Sequence, residues 1–593
     1  MKRAYRSLFG ATPQADGTLF RLYAPKADEV ALRLDGEDRA MARDGDWFLL
    51  TVADTAPGMH YRYVIDGKQA VPDPASRFQP QDVNGPSEIV APEAFDWTDE
   101  DWHGRPWREA VLYELHLGTF TREGTYRAAI GELERLRDLG LTAIELMPLA
   151  DFAGARNWGY DGVLPFAPDS SYGRPEELKA LVCAAHRLGL MVFVDVVYNH
   201  FGPEGNYLSL YAPDFFAQRQ TDWGQSLDFA GIARRFFIEN ALYWLIEYHI
   251  DGLRFDAVHA IHDDSGTHFL DELARAARAA CGDRHIHLVL ENDKNEARLL
   301  ERGAEGKSRA YDAQWNDDFH HAMHVVLTGE SDGYYADYAK APVDHLGRTL
   351  AQGFAYQGEH SPFRDAPRGE PSAQLPPLAF VDFLQNHDQI GNRAFGERLI
   401  TLVPRAALKA AIAIQLLAPS PPLLFMGEEL GATMPFLFFC DFAGDLANAV
   451  REGRRREFAR FPAFASPDAR QRIPDPLAIE TFECSKIAPA IAQPDREIAA
   501  LYRQLLELRR REIVPRLSGV QAFAARYRSE GRRLAVEWDL PEGSRLALIA
   551  NLAATPGELI AKPGGRLIWG TASPGTPLPP WTVLWSIATE AER

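Results

Sequence analysis

Cysteine is scarce in this chain: Cys183, Cys281, Cys440 and Cys484 are the only four in 593 residues, and none sits in a C-x-x-C spacing. That excludes a disulfide framework and a cysteine-based zinc site, and it suits a reducing compartment. Positive charge is short as well. Lys and Arg number 63 against 83 Asp and Glu, for a formal net charge of −20. Nucleic acid or an anionic membrane would be repelled over most of such a surface, so a neutral or cationic ligand is expected instead. No apolar run reaches the length that spans a bilayer, and the basic start Met1 to Arg6 is not followed by the apolar stretch of a secretory signal. The expected address is the cytoplasm. No internal repeat and no long low-complexity tract is present.

What is present is ordinary globular composition, 46% hydrophobic and 25% charged, in a chain too long for one core. About two to four domains are expected. Residues 1–95 read as short strands with period-two alternation, as in Phe20 to Tyr23 and Val30 to Leu34. Asp35-Gly36, Asp44-Gly45 and Asp66-Gly67 supply hairpin turns, so an immunoglobulin-like β-sandwich, of possible carbohydrate-binding type, is expected. Residues 96–516 alternate apolar strands with amphipathic helices. The strand candidates are 111–116, 143–148, 191–197, 252–256, 287–291, 310–315, 379–385 and 422–427. About eight such units fit a parallel (β/α)₈ barrel with long loops. An open doubly wound sheet is the alternative, but no G-x-G-x-x-G follows the first strand and charged strand ends are too numerous for one crevice. Residues 517–593 return to short strands and read as a closing antiparallel β-domain.

In such a barrel the carboxyl ends of the strands form the active-site mouth. The third strand ends in Tyr198-Asn199-His200, the fourth in Arg254-Phe255-Asp256, the fifth in Glu291-Asn292-Asp293 and the seventh in Gln385-Asn386-His387-Asp388. One aspartate at a strand end is commonly a helix N-cap, and one histidine is commonly scaffold. Asp195, inside an apolar strand, reads as a structural or supporting carboxylate. Four polar ends converging on one mouth are harder to explain that way. Two or three carboxyls without metal-ligand spacing suit glycoside cleavage, where one carboxyl is protonated and another ionised. Retaining enzymes hold that pair about 5–5.5 Å apart, a separation that adjacent strand ends can provide. Arg254, two residues before Asp256, points to the same face and would keep it ionised.

The segments Asp195 to His200, Gly252 to His259, Glu291 and Asn386-His387-Asp388 resemble the four motifs of the α-amylase superfamily. The resemblance implies Asp256 as nucleophile, Glu291 as general acid/base and Asp388 as transition-state stabiliser. It implies that Arg254 positions Asp256 and that His200 and His387 bind the sugar. Tyr160, in Asn157-Trp158-Gly159-Tyr160-Asp161, matches the aromatic platform beneath that sugar, with a core aromatic as the plain alternative. Gln385 to Arg393 is similar to the form in maltooligosyltrehalose trehalohydrolases and in glycogen branching enzymes, and Phe425 to Glu429 is shared by both. Met434 to Phe442 and Ile473 to Pro476 look more like the former. The implied reaction is hydrolysis of the α-1,4 bond next to the terminal trehalose unit of maltooligosyl trehalose, with branching or debranching of α-glucan as the alternative. The loop Met434 to Phe442 is expected either to wall the leaving-group subsites or to pack on the C-terminal domain. No metal and no cofactor is expected; Asp195 and Asn199 suggest calcium only by analogy, with no further oxygen-rich cluster beside them.

Overall fold

The structure is a computed structural model that describes residues 4–221, 224–303, 306–520, 522–571 and 576–589. At the N-terminal end two antiparallel sheets face each other. One is ordered Thr12–Gln14, Gly17–Tyr23, Trp47–Val52, Ala42–Asp44; the other Glu37–Ala40, Val30–Leu34, His60–Ile65, Gln69–Val71. Asp35 and Gly36 join Val30–Leu34 to Glu37–Ala40 with positive φ at both residues, 53° and 82°. That is the mirror-image turn whose twist matches a right-twisted hairpin.

The middle of the chain closes into an eight-stranded parallel barrel in strict sequence order: β1 (Leu112–Leu115), β2 (Ala143–Leu146), β3 (Met191–Val196), β4 (Gly252–Phe255), β5 (His287–Leu290), β6 (Ala313–Trp315), β7 (Phe380–Phe383) and β8 (Pro422–Phe425). Every expected strand is present, and the barrel rather than the open sheet is the architecture. Several strands are shorter than their apolar runs, because the last residues leave the ladder to carry polar side chains into loops.

Strand alternation dictates what fills the barrel. Inward-facing Leu112, Met191, Phe193, Val289, Val381 and Phe383 belong to one buried apolar cluster. Gly252 faces Phe193 in register, and a Cβ there would stand 2.1 Å from the Phe193 ring. Only glycine lets that ring fill the interior at this level. Two residues further up, Asp195 and Arg254 are register neighbours, as are Glu114 and Glu145 on β1 and β2. The barrel therefore changes from an apolar layer to a charged one within a single step along the strands.

A five-stranded antiparallel sheet closes the chain, in the order Ala525–Glu530, Arg533–Asp539, Arg545–Asn551, Thr582–Ala588, Arg566–Trp569. Trp538 and Trp585 stack 5.5 Å apart, and their indole N–H groups donate to the carbonyls of Leu350 and Ala413 on barrel helices. The buried aromatics thus anchor this sheet to the barrel.

Candidate active site

Arg254 is the centre of the charged layer. Fully buried, its Nη1 donates to Asp195 Oδ2 at 2.6 Å and to Asp256 Oδ1 at 2.8 Å. Its Nη2 lies 3.8 Å from Glu291 Oε2, and its guanidinium carbon sits 4.2 Å from the centroid of the Trp315 ring. One cation therefore touches three carboxyls and rests on an aromatic face, which compensates it for lost hydration. Gly252, Arg254 and Asp256 follow one another on the inner face, so strand geometry alone delivers Asp256 above its arginine.

Directly after Asp256 the backbone turns sharply. Ala257 adopts the left-handed conformation, φ 43° and ψ 45°, which costs a residue with a Cβ roughly 1–3 kcal/mol. This conformation accompanies an Ala257 N–H that donates to Glu291 Oε2 at 2.5 Å. A strained turn of β4 thus meets the carboxyl at the end of β5.

The two carboxyls sit in different surroundings. Burial, then Asp256, Asp317 and Asp388, push Glu291 well above the ordinary glutamate range, and Arg254 only partly opposes them. Glu291 therefore keeps its proton to higher pH than an ordinary glutamate does. Asp256 instead accepts the Arg254 hydrogen bond, and its side chain remains 15% exposed toward the mouth. Asp195 below is lifted by burial, against the pull of Arg254, to about 6.

The remaining expected residues surround this group. Asp388 lies in the first turn of the helix His387–Gly391, and its side chain is 43% exposed. Asn386 caps that helix, its Oδ1 accepting from the Asp388 N–H at 2.9 Å. The buried His387 ring stacks on Tyr160 with centroids 5.0 Å apart, and the Tyr160 hydroxyl donates to Asp195 Oδ2 at 2.6 Å. His200 Nε2 lies 3.1 Å from the Tyr160 carbonyl, and burial lowers its pKa despite Asp256 and Asp161. All seven residues singled out in the sequence thus gather at one end of the barrel. Among the described residues, no group of three or more His, Cys, Asp or Glu has metal-holding geometry.

Other residues of the site were not singled out. Glu114 and Glu145 are buried carboxyls on β1 and β2, and the signal was available: an acid inside an apolar strand, as with Asp195. Asp317 follows β6, where burial and then Asp293 lift its carboxyl to about 7, with Asp388 adding to the rise. Beside Asp388 opens a cavity of about 540 Å3 lined by Tyr334, Phe363, Gln389, Asn392, Phe461 and Phe464. Arg364, the neighbour of Phe363 in the chain, pairs with Asp293, two residues beyond Glu291.

The loop Met434 to Phe442 meets neither expectation in full. Phe436 and Phe439 are completely buried, Phe436 stacked on Trp158 at 5.4 Å and Phe439 against His116 and Phe482. The aromatic contacts of the loop are thus with the rim of the barrel rather than with the C-terminal sheet. Only Phe438 stays half-buried, touching Trp158 and Arg454.

The closed barrel with this carboxyl group at its mouth defines the α-amylase class. Family models agree: Alpha amylase, catalytic domain, matches residues 89–225; Carbohydrate-binding module 48 (Isoamylase N-terminal domain) matches 8–81; and Domain of unknown function (DUF3459) matches 522–585. A crystal structure from Salmonella typhimurium superposes with a TM-score of 0.95 at 47% identity, covering 99% of this chain and all of that one. The malto-oligosyltrehalose trehalohydrolase of Deinococcus radiodurans is 46% identical over 517 residues, 86% of this chain and 84% of that protein. The protein of that name from Saccharolobus solfataricus is 42% identical over 85% of this chain and 87% of its own length. A 1,4-alpha-glucan branching enzyme from Corynebacterium jeikeium matches only 42% of this chain. The chain belongs to the malto-oligosyltrehalose trehalohydrolase family.

Proposed function

We propose that the protein hydrolyses the α-1,4-glucosidic bond next to the terminal trehalose unit of maltooligosyl trehalose, releasing trehalose with retention of configuration. The observation that carries this reading is the pairing of Glu291, raised by burial, with an Arg254-bound Asp256 on adjacent strand ends. Glu291 donates its proton to the departing glycosidic oxygen while Asp256 attacks the anomeric carbon. The C–O bond to the trehalose unit breaks and a glycosyl ester of Asp256 forms. Glu291, now ionised, takes a proton from water, whose oxygen displaces Asp256 and regenerates both groups. Asp388, His387 and neutral His200 hold the hydroxyls of the reacting sugar, Tyr160 lies beneath it, and Asp388 stabilises the developing positive charge.

The leaving trehalose unit occupies the cavity beside Asp388. Tyr334 and Phe363 offer faces on which its glucose rings stack, and Arg364, next to Phe363, is bonded to Asp293, two residues beyond the acid Glu291. The protein acts in the cytoplasm, in keeping with four cysteines that form no disulfide among the described residues.

The test is product analysis on maltotriosyl trehalose against maltopentaose. Free trehalose, with the new reducing end first appearing as the α-anomer by NMR, is expected. Glucan transfer without free trehalose would establish the branching alternative, and a β-anomer would remove the retaining mechanism.

A further inference from the structure

Glu114, on β1, is 1% exposed and spends both carboxyl oxygens on one residue. Its Oε1 lies 2.5 Å from His387 Nδ1, and its Oε2 accepts the His387 backbone N–H at 3.2 Å. The imidazole ring is further confined by Tyr160 on its face and by the Trp158 edge contact at 5.4 Å, 90°. With Nδ1 committed to Glu114, Nε2 is turned toward Asp388, 3.4 Å from Oδ1. We propose that Glu114 is a positioning residue of the reaction: it holds His387 cationic and fixed, so that Nε2–H donates to Asp388 and the reacting sugar.

The groups facing His387 are consistent with that charge. Asp388 shares its helix, Glu114 and His116 come from β1 and its end, Glu145 from β2, Arg254 from β4, and the Tyr160 phenol from the loop after β2. Burial disfavours a charged ring, but Asp388 and Glu114 outweigh it and lift His387 to about 9, with Arg254 opposing. Glu145, register neighbour of Glu114, has neither carboxyl oxygen hydrogen-bonded. Burial first, then Glu114 and Asp195, raise its pKa well above that of an ordinary glutamate. A neutral His387 would lose the Nε2 proton in one tautomer or the Glu114 bond in the other. A cation keeps both.

This inference rests on the catalytic assignment above, and its test separates the two. In ¹⁵N-histidine-labelled protein, the His387 signal, identified by its loss in His387→Gln, is expected to remain that of a cation up to about pH 8, below its raised pKa of about 9. In Glu114→Gln it is expected to turn neutral by neutral pH. Turnover of Glu114→Gln at neutral pH is expected to fall about 10- to 100-fold, the scale of one charge-assisted hydrogen bond, and to recover partly toward acid as the ring regains its proton. Glu114→Asp, which keeps the charge, is expected to restore the neutral-pH optimum. A neutral His387 at neutral pH in the unaltered protein would overturn the inference without any variant having to fold. So would a Glu114→Gln enzyme that is slower at every pH with an unshifted profile. A cationic His387 in a protein that releases no trehalose would sink the functional reading and leave the Glu114 pairing standing.

Discussion

Replacing Arg254 by glutamine probes the site at its centre. The side chain is fully buried and makes bonds of 2.6 Å and 2.8 Å to Asp195 and Asp256. Glutamine keeps an N–H donor but is shorter and carries no charge. Removing one charge-assisted hydrogen bond costs about 1.5–3 kcal/mol, so the loss at Asp256 alone lowers kcat/KM by about 10- to 150-fold. The second effect is on protonation. Arg254 pulls Asp195 downward against burial, so without it Asp195 rises beyond about 6. A carboxyl whose pKa rises loses its charge at higher pH, and the acid limb of the rate profile therefore moves upward. The third is stability: the buried Asp195 loses its cation, which costs about 3–5 kcal/mol when one partner of a buried pair is removed. Arg254→Lys restores the charge but not the fork, and intermediate activity is expected. The assay is trehalose release from maltotriosyl trehalose across pH, alongside thermal inactivation. An Arg254→Gln enzyme with unchanged kcat and a raised KM would refute the reasoning, because Arg254 would then bind substrate rather than tune Asp256.

Asp256→Asn is expected to abolish nearly all turnover with little change in thermal inactivation; wild-type-like turnover would remove Asp256 as nucleophile. Glu291→Gln is expected to lose about 10²- to 10⁴-fold on natural substrate yet far less in the first step with an α-glycosyl fluoride, whose leaving group needs no proton; equal losses on both would exclude an acid role. Phe363→Ala, exposed at 45%, is expected to raise KM for trehalose-ended substrate more than for maltopentaose, and parallel changes would displace the trehalose unit from that cavity. Below the barrel, His186 bridges Asp99 and Asp251 at 2.8 and 2.9 Å. Burial works against each charge, but the pairing raises His186 and lowers both aspartates. The aspartates' contribution is present above their ordinary range and fades as pH falls through their lowered pKa values. That of His186 is complete below its ordinary pKa and fades as pH rises through the raised one. His186→Gln should therefore inactivate faster than the parent mainly between these limits, and a pH-independent difference would discount the pairing.

The loop Met434 to Phe442 shows where sequence pattern misleads. Its phenylalanines look like a subsite wall, yet Phe436 and Phe439 are buried against Trp158, His116 and Phe482. An apolar run does not say which surface covers it. Those contacts come from residues roughly 40 to about 320 positions apart in the chain, a distance only folding resolves. The cavity lined by Tyr334, Phe363 and Phe461 was unreadable for the same reason, since its three aromatics come from separate loops with no common spacing.

By itself the sequence determined the barrel, its strand order and the end at which the polar residues gather. It could do so because period-two alternation and strand-end position are local properties: Gly252, Arg254 and Asp256 share a face whatever surrounds them. The tertiary structure alone decided the charges those residues carry. Glu291 is raised because burial and three acids from other strands surround it, while Asp256 sits on an arginine that also holds Asp195. The same holds for Glu114, an unremarked acid in an apolar strand until the closed barrel sets it 2.5 Å from His387, 273 residues away. Protonation depends on neighbours in space, and those are set by closure of the barrel.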